Sequence, residues 1–305
     1  MRTVIIDRPP LRELPGAVWD LLPFRLADEI RAGNYGEIEE IHLRRGRCAS
    51  LTVGEFTRIL NYAALPGELD EIVSRACDGS LYAHFDTINQ GYIVCRGVRI
   101  GICGRASLDG GHIIGVRDIG SLVIRVPRPT PQGIGSELAQ LIRSGRLCGG
   151  ALVYAPPGVG KTTVLRGAAA CLSSGERPLK VAVVDSRFEL GLGLDAPRLM
   201  VDVLSGYPKE LGISISVRTL AAQVIVCDEI GGTEEAEAIL SAHNCGVPLL
   251  ACTHAANLCE LMGKPGIVRL HRAGCFSYYV GLSRREGRFC YNYDVQEASA
   301  ADAYL

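Results

Sequence analysis

Eight consecutive residues, Ala155-Pro-Pro-Gly-Val-Gly-Lys-Thr162, place two glycines, a lysine and a hydroxyl together directly after an apolar run. A bound polyphosphate needs convergent backbone N–H groups, a helix N-terminus, one cation and a hydroxyl for a metal ion, and the segment supplies all of them. It matches the phosphate-loop pattern G-x-x-x-x-G-K-S/T except at the first position, where Ala155 stands. That departure is mild, because alanine has the smallest side chain after glycine. Pro156 and Pro157 have no N–H, so the cradle falls to Gly158, Val159, Gly160, Lys161 and Thr162. Lys161 is expected at the β- and γ-phosphates, Thr162 on Mg²⁺ and Thr163 on the α-phosphate side. The chain holds only four lysines, Lys161, Lys180, Lys209 and Lys264, so one falling at the required position argues against chance.

A second group of chemical residues ends the run Val224-Ile-Val-Cys-Asp-Glu-Ile230. Two carboxylates at the tip of a buried strand are costly unless something positive sits there. Asp228 is expected to hold the Mg²⁺ hydration shell and Glu229 to polarise a water for attack on the γ-phosphate. Val184-Asp185-Ser186-Arg187-Phe188-Glu189 and Leu249-Leu-Ala-Cys-Thr-His254 end in the same manner. Glu189 is the next candidate base, and His254 could sense the γ-phosphate or bridge to Glu229. Arg198 and Arg218 are candidate charge neutralisers, or partners in surface ion pairs. The ligands expected from these residues are ATP and Mg²⁺.

Positioning these groups requires parallel strands that end on one edge. The short apolar runs Ala151–Tyr154, Val181–Val184, Val224–Cys227 and Val247–Cys252 are separated by helix-length segments, among them Thr162–Leu172 and Glu234–Asn244. That alternation predicts an α/β fold with a doubly wound sheet over residues 136–295. Three prolines and two glycines in Val126–Gly135 mark a connector, taken as a linker over 127–135. Before it, residues 1–126 read as an N-terminal α+β domain. Its helices are expected over Ala17–Ile30 and Glu68–Tyr82, with strands over Glu37–Leu43, Tyr92–Cys95, Val98–Cys103, His112–Val116 and Leu122–Val126. Asp109-Gly110-Gly111 is expected as a hairpin turn. Residues 296–305 read as a frayed tail.

Composition sets the bounds. With 305 residues, 48% hydrophobic and 21% charged, the chain is long enough for two cores and is not a disordered polymer. A net charge of −1 lacks the polycationic signature of a protein that coats nucleic acid. The segment from Gly91 on carries Arg96, Arg99, Arg105, Arg117, Arg125 and Arg128 against Asp109 and Asp118, which suits a solvated sheet face or one turned to phosphate or a partner. Twelve cysteines without a C-x-x-C pair read as reduced thiols of a cytoplasmic protein. No stretch reaches the roughly 18 apolar residues of a spanning helix, and the first ten residues do not read as a signal peptide.

Taken together these segments resemble the stage III sporulation protein AA family of endospore-forming bacteria and, more distantly, the hexameric motor ATPases of type II and type IV secretion and of pili. The likeness is carried by Glu37-Ile-Glu-Glu-Ile-His-Leu-Arg-Arg45, by Gln90-Gly-Tyr-Ile to Gly104-Arg105, and by Gly115-Val-Arg-Asp-Ile-Gly-Ser121 with Ile124-Arg125. It continues through Val183-Val-Asp185, Arg187, Glu189, Asp202-Val-Leu204, Tyr207-Pro-Lys209, Arg218 and Asp228-Glu-Ile-Gly231. Ala155, Ser186, Phe188 and Ala255 depart from the family pattern, and the lost acid at Ser186 puts that position's role in question. The resemblance implies a P-loop NTPase of RecA-like fold, an ATP hydrolase that energises or gates a secretion-like channel complex between mother cell and forespore. It also implies a homo-hexamer, an inner-membrane partner that recruits the cytoplasmic protein, and N-terminal arginines, Arg105 and Arg117 foremost, that complete the nucleotide site. Two other readings stay open: a nucleic-acid-dependent P-loop ATPase, against which the charge balance argues, and a nucleotide-binding assembly scaffold, against which Glu229 argues.

Overall fold

The computed structural model describes residues 14–33, 35–54, 56–127, 133–144, 149–194, 196–285 and 290–305. The chain divides into two compact units, residues 1–128 and 129–305. Most of the expected linker, residues 128–132, and the first ten residues lie outside the described residues.

In the first unit, α1 (Gly16–Trp19) and α2 (Phe24–Ala32) stand where one helix was expected. Pro23 separates them, because it offers no N–H and bars helical backbone at the residue before it. Strands β1 (Glu40–Arg44), β2 (Arg47–Val53) and β3 (Phe56–Ala63) follow as a meander, of which the sequence showed only the first. Helix α3 (Glu68–Ala76) stops short of Tyr82, since Asp78 and Gly79 turn left-handed at φ 47° and 77°. Then come a 3-10 turn (Leu81–His84), α4 (Phe85–Asn89) and β4 (Tyr92–Cys95). The remaining expected short strands are replaced by two long ones, β5 (Val98–Asp109) and β6 (His112–Arg125). Asp118, at φ 52°, and a register shift between Cys103 and Arg105 absorb the irregularity that interrupts the sequence pattern there. Gly110 and Gly111, at φ 54° and 86°, close the expected hairpin.

The six strands form an antiparallel sheet in the order β3-β2-β1-β6-β5-β4. Ile41, Leu43, Ile100, Leu122 and Ile124 are fully buried on one face and share a core with Leu26, Leu69 and Ile72 of α2 and α3. The alternate residues Arg44, Arg99 and Arg125 occupy the opposite face, and Arg105 pairs directly with Arg117 across β5 and β6.

The second unit runs α5 (Ser136–Arg143), β7 (Gly150–Ala155), α6 (Lys161–Leu172), β8 (Val181–Asp185), β9 (Val201–Ser205), α7 (Lys209–Arg218), β10 (Val224–Glu229) and α8 (Thr233–Asn244). It closes with β11 (Leu249–His254), α9 (Leu258–Met262), α10 (Pro265–Arg272), β12 (Phe276–Arg284) and β13 (Tyr291–Glu297). The sheet order is β13-β12-β7-β11-β10-β8-β9, parallel except for β13, which pairs antiparallel with β12. Alternating residues feed two cores. Val153, Val183, Val226 and Leu250 pack with Val164, Leu165 and Ala168 of α6, whereas Leu152, Val184, Ile225 and Ala251 pack with Ile213, Ile239 and Ile267 of the other helices. Such two-faced burial is why these strands read as unbroken apolar runs. Residues 296–305 are not frayed: β13 reaches Glu297, and a 3-10 helix (Ala298–Tyr304) buries Ala301 and bonds Asp302 to His271 of α10.

Candidate nucleotide site

Parallel strands bring their C-terminal ends to one edge of the sheet, the edge where ligands of such folds bind. Because β11 lies between β7 and β10, Thr253 and His254 come to rest between the phosphate loop and the Asp228-Glu229 pair. Asp185 to Glu189 follow on the far side of β10.

The loop itself depends on two backbone positions. Gly158 and Gly160 adopt φ of 75° and 118°, where a side chain is strained. Ala155 ends β7 as ordinary strand and needs no glycine. Lys161, Thr162 and Thr163 open α6, so the helix N-terminus faces the loop. The Lys161 ammonium donates to Ala155 O at 2.8 Å, Pro156 O at 3.0 Å and His254 Nδ1 at 2.8 Å, which uses its three protons. Burial holds its pKa below the ordinary lysine value.

His254 links that lysine to the acid. With Nδ1 accepting from the ammonium, Nε2 carries the ring proton and donates to Glu229 Oε2 at 3.1 Å. Arg187 Nη1 donates to the same oxygen at 2.7 Å. A continuous row, Lys161–His254–Glu229–Arg187, therefore crosses the edge of the sheet.

Asp228 is buried beneath this row. Its Oδ1 meets Lys209 Nζ at 3.0 Å, and its Oδ2 accepts from Ser186 Oγ at 2.7 Å and from the Arg187 backbone N–H at 3.2 Å. Ser186 thus serves as a donor to Asp228. Lys209 also reaches Glu235 Oε1 at 2.9 Å and the Glu229 carbonyl. Burial lowers the Lys209 pKa, but Asp228 and Glu235 outweigh it and the net shift is upward. Burial pushes Glu235 up, and the Gly232 N–H, Lys209 and the Gly231 N–H pull it down further, leaving it below 4.5.

Asp185 accepts from the backbone N–H groups of Glu189 and Gly191, both at 2.8 Å, and so shapes the loop that carries Glu189. Buried Arg166 donates to the Glu189 carbonyl. Glu189 therefore belongs to this edge but sits beyond β10, farther along it from the phosphate loop than Glu229. Arg198 and Arg218 do not come to it. Arg198 precedes β9, which runs parallel to β8, and exposed Arg218 ends α7, whose first residue Lys209 is the one at the site. Both lie at the opposite ends of the strands. Arg105 and Arg117 belong to the first unit.

Lys264 is not read from the sequence as a site residue, and Arg187 and Lys209 enter there only through the resemblance. Lys264 Nζ donates to Thr253 Oγ1 at 3.1 Å and to the His254 carbonyl. The scarcity of lysine was the available signal, since three of the four converge here. Thr162, at the start of α6, and Asp228, at the end of β10, both lie at this edge of the sheet, and both oxygens of Asp228 already have protein partners.

A family model described as sporulation stage III, protein AA, matches residues 23–296. Stage III sporulation protein AA of Bacillus subtilis (strain 168) is 32% identical over 268 residues, covering 85% of this chain and 87% of that protein. Among solved structures, the ATPase DotB of Legionella pneumophila aligns over 87% of this chain and 79% of its own, with a TM-score of 0.61 and 14% identity. The pilus retraction motor PilT with bound ADP aligns over 90% and 82%, also at a TM-score of 0.61, with 13% identity. At such identities the likeness shows the fold: a doubly wound P-loop NTPase unit of RecA-like class, with an α+β unit before it.

Proposed function

The chain belongs to the stage III sporulation protein AA family, and from that premise we propose that it is a Mg²⁺-dependent ATPase that energises or gates a secretion-like channel complex between mother cell and forespore. The observation that carries this reading is the bridge from Lys161 through His254 to Glu229, which couples a phosphate-binding cation to a candidate base.

Incoming phosphates compete for Lys161 and draw it away from Ala155 O, Pro156 O and His254 Nδ1. Gly158 to Thr163 supply N–H groups to the polyphosphate. Mg²⁺, held by Thr162 and through water by Asp228, would neutralise phosphate charge. Arg187 and His254 converge on Glu229 Oε2, so Oε1 is the oxygen that orients the attacking water. Hydrolysis also calls for an arginine or equivalent beyond Lys161 and Mg²⁺, supplied in cis or by a neighbour. With Arg198 and Arg218 at the wrong edge, we assign that role to Arg105 or Arg117 of a neighbouring copy in a homo-hexamer. An inner-membrane protein of the channel complex would recruit the cytoplasmic ring, since among the described residues no helix is long and apolar enough to cross a membrane.

Turnover of ATP by the purified protein tests the reading. Lys161→Ala should lose ATP binding, whereas Glu229→Gln should bind ATP and hydrolyse it at least 10²-fold more slowly. Equal ATP affinity in Lys161→Ala and wild type would refute it.

A further inference from the structure

Strand β13 is the antiparallel edge of the second sheet, and its first residue leans on the phosphate loop. A Cβ added to Gly160 would stand 2.4 Å from the Tyr291 phenol oxygen and 2.9 Å from its Cζ, so the ring lies directly against the loop. Burial raises the pKa of this phenol, and Arg284 and Thr163, which adjoin it, draw it part of the way back; Arg284 pairs with Tyr291 across β12 and β13. The ring is half-buried, and Tyr291 and Tyr293 pack against the core that includes Val164 and Leu165 of α6. The row of Lys161, His254 and Glu229 lies toward β11, on the other side of the loop from β12 and β13.

Phosphate loops have a polarity. The lysine reaches the β- and γ-phosphates, so the hydroxyl two residues on and whatever adjoins it border the α-phosphate and the nucleoside. Here the group adjoining Thr163 is an aromatic ring with a polar tip, the side chain suited to receive a ribose and a base.

We propose that Tyr291 is the nucleoside-contacting and specificity-determining residue of this site: its ring forms the wall on which the ribose and base of a nucleoside triphosphate rest, beside the Thr163 hydroxyl on the α-phosphate side. The inference rests on the nucleotide-site reading above. It assigns to β13 a role that the phosphate loop alone does not supply, because the loop binds polyphosphate without regard to what the phosphates carry.

The test compares ATP, ADP and inorganic tripolyphosphate, each with Mg²⁺, binding to wild type, Tyr291→Phe and Tyr291→Ala by calorimetry. Loss of a stacking ring weakens base binding by about 5- to 150-fold. Tyr291→Ala should show that loss for ATP and ADP while holding tripolyphosphate within about twofold of wild type. Tyr291→Phe keeps the ring, so it should bind ATP within about threefold of wild type. An equal loss of ATP and tripolyphosphate in Tyr291→Ala would make the residue a prop for the loop and overturn the proposal. Equal loss of ATP in both variants, or none in either, would overturn it as well. Wild type binding neither ligand would instead refute the nucleotide site on which the proposal stands.

Discussion

Replacing Lys209 with methionine removes a cation that touches Asp228, Glu235 and the Glu229 carbonyl together. The two charged partners at its centre are almost sealed from water, with side chains 9% and 6% exposed for Lys209 and Asp228. Breaking such a pair from one side strands a buried charge and costs about 3–5 kcal/mol. Ser186 and the Arg187 N–H still donate to Asp228, which places the expected loss near the lower bound, about 3 kcal/mol. With a urea m-value of about 2 kcal/mol/M, the unfolding midpoint should fall by about 1.5 M. Circular dichroism against urea reads this directly. Adding Asp228→Asn to Lys209→Met removes the stranded charge and should recover about 1–2 kcal/mol, although neither variant should hydrolyse ATP. A single-variant loss below about 1 kcal/mol, the range of a surface ion pair, would refute the reasoning, as would a double variant less stable than the single one.

Gly160→Ala meets both a φ of 118° and the Tyr291 ring, so it should cost about 1–3 kcal/mol and abolish ATP binding; an unchanged melting temperature would contradict the loop geometry. Glu235 has a folded pKa below its ordinary 4.5, so its stabilisation is fully present above that value and is lost as pH falls through the folded value. Glu235→Gln should therefore flatten the acid limb of the stability curve below pH 4.5 and leave its slope at neutral pH alone; identical acid limbs would count against this. Mixing Arg105→Ala or Arg117→Ala with Lys161→Ala, each inactive alone, should restore part of the ATPase activity, with a rate per subunit that rises with protein concentration. A constant rate without rescue would favour a self-contained site.

The α/β unit was legible because its central strands are buried on both faces, which leaves apolar runs such as Val181–Val184 that end in the acids. The edge strands were not. Half-exposed β9 mixes Asp202 with Val203, and β13 reads Tyr-Asn-Tyr-Asp-Val, patterns that a loop can share. In the first unit the helix limits failed at Pro23 and at Asp78-Gly79, where local backbone rules overrode periodicity. Motif spacing singles out the Ala155–Thr162 loop and Asp228-Glu229, and the sheet brings both to one edge. What places His254 between them is strand order, a property of the sheet that no local window contains.

The distribution of lysine has a chemical consequence. This chain carries its surface positive charge on arginine and keeps lysine where an ammonium can knit strand ends together: Lys161 and Lys209 are buried, Lys264 is half-buried, and only Lys180 is exposed. Amine-directed reagents will accordingly find Lys180 and little else among the side chains of the folded protein. Acylation of Lys161, Lys209 or Lys264 becomes a signal of local opening at the sheet edge. Arginine cannot take their places, because its planar fork does not reproduce the three directions in which Lys161 donates.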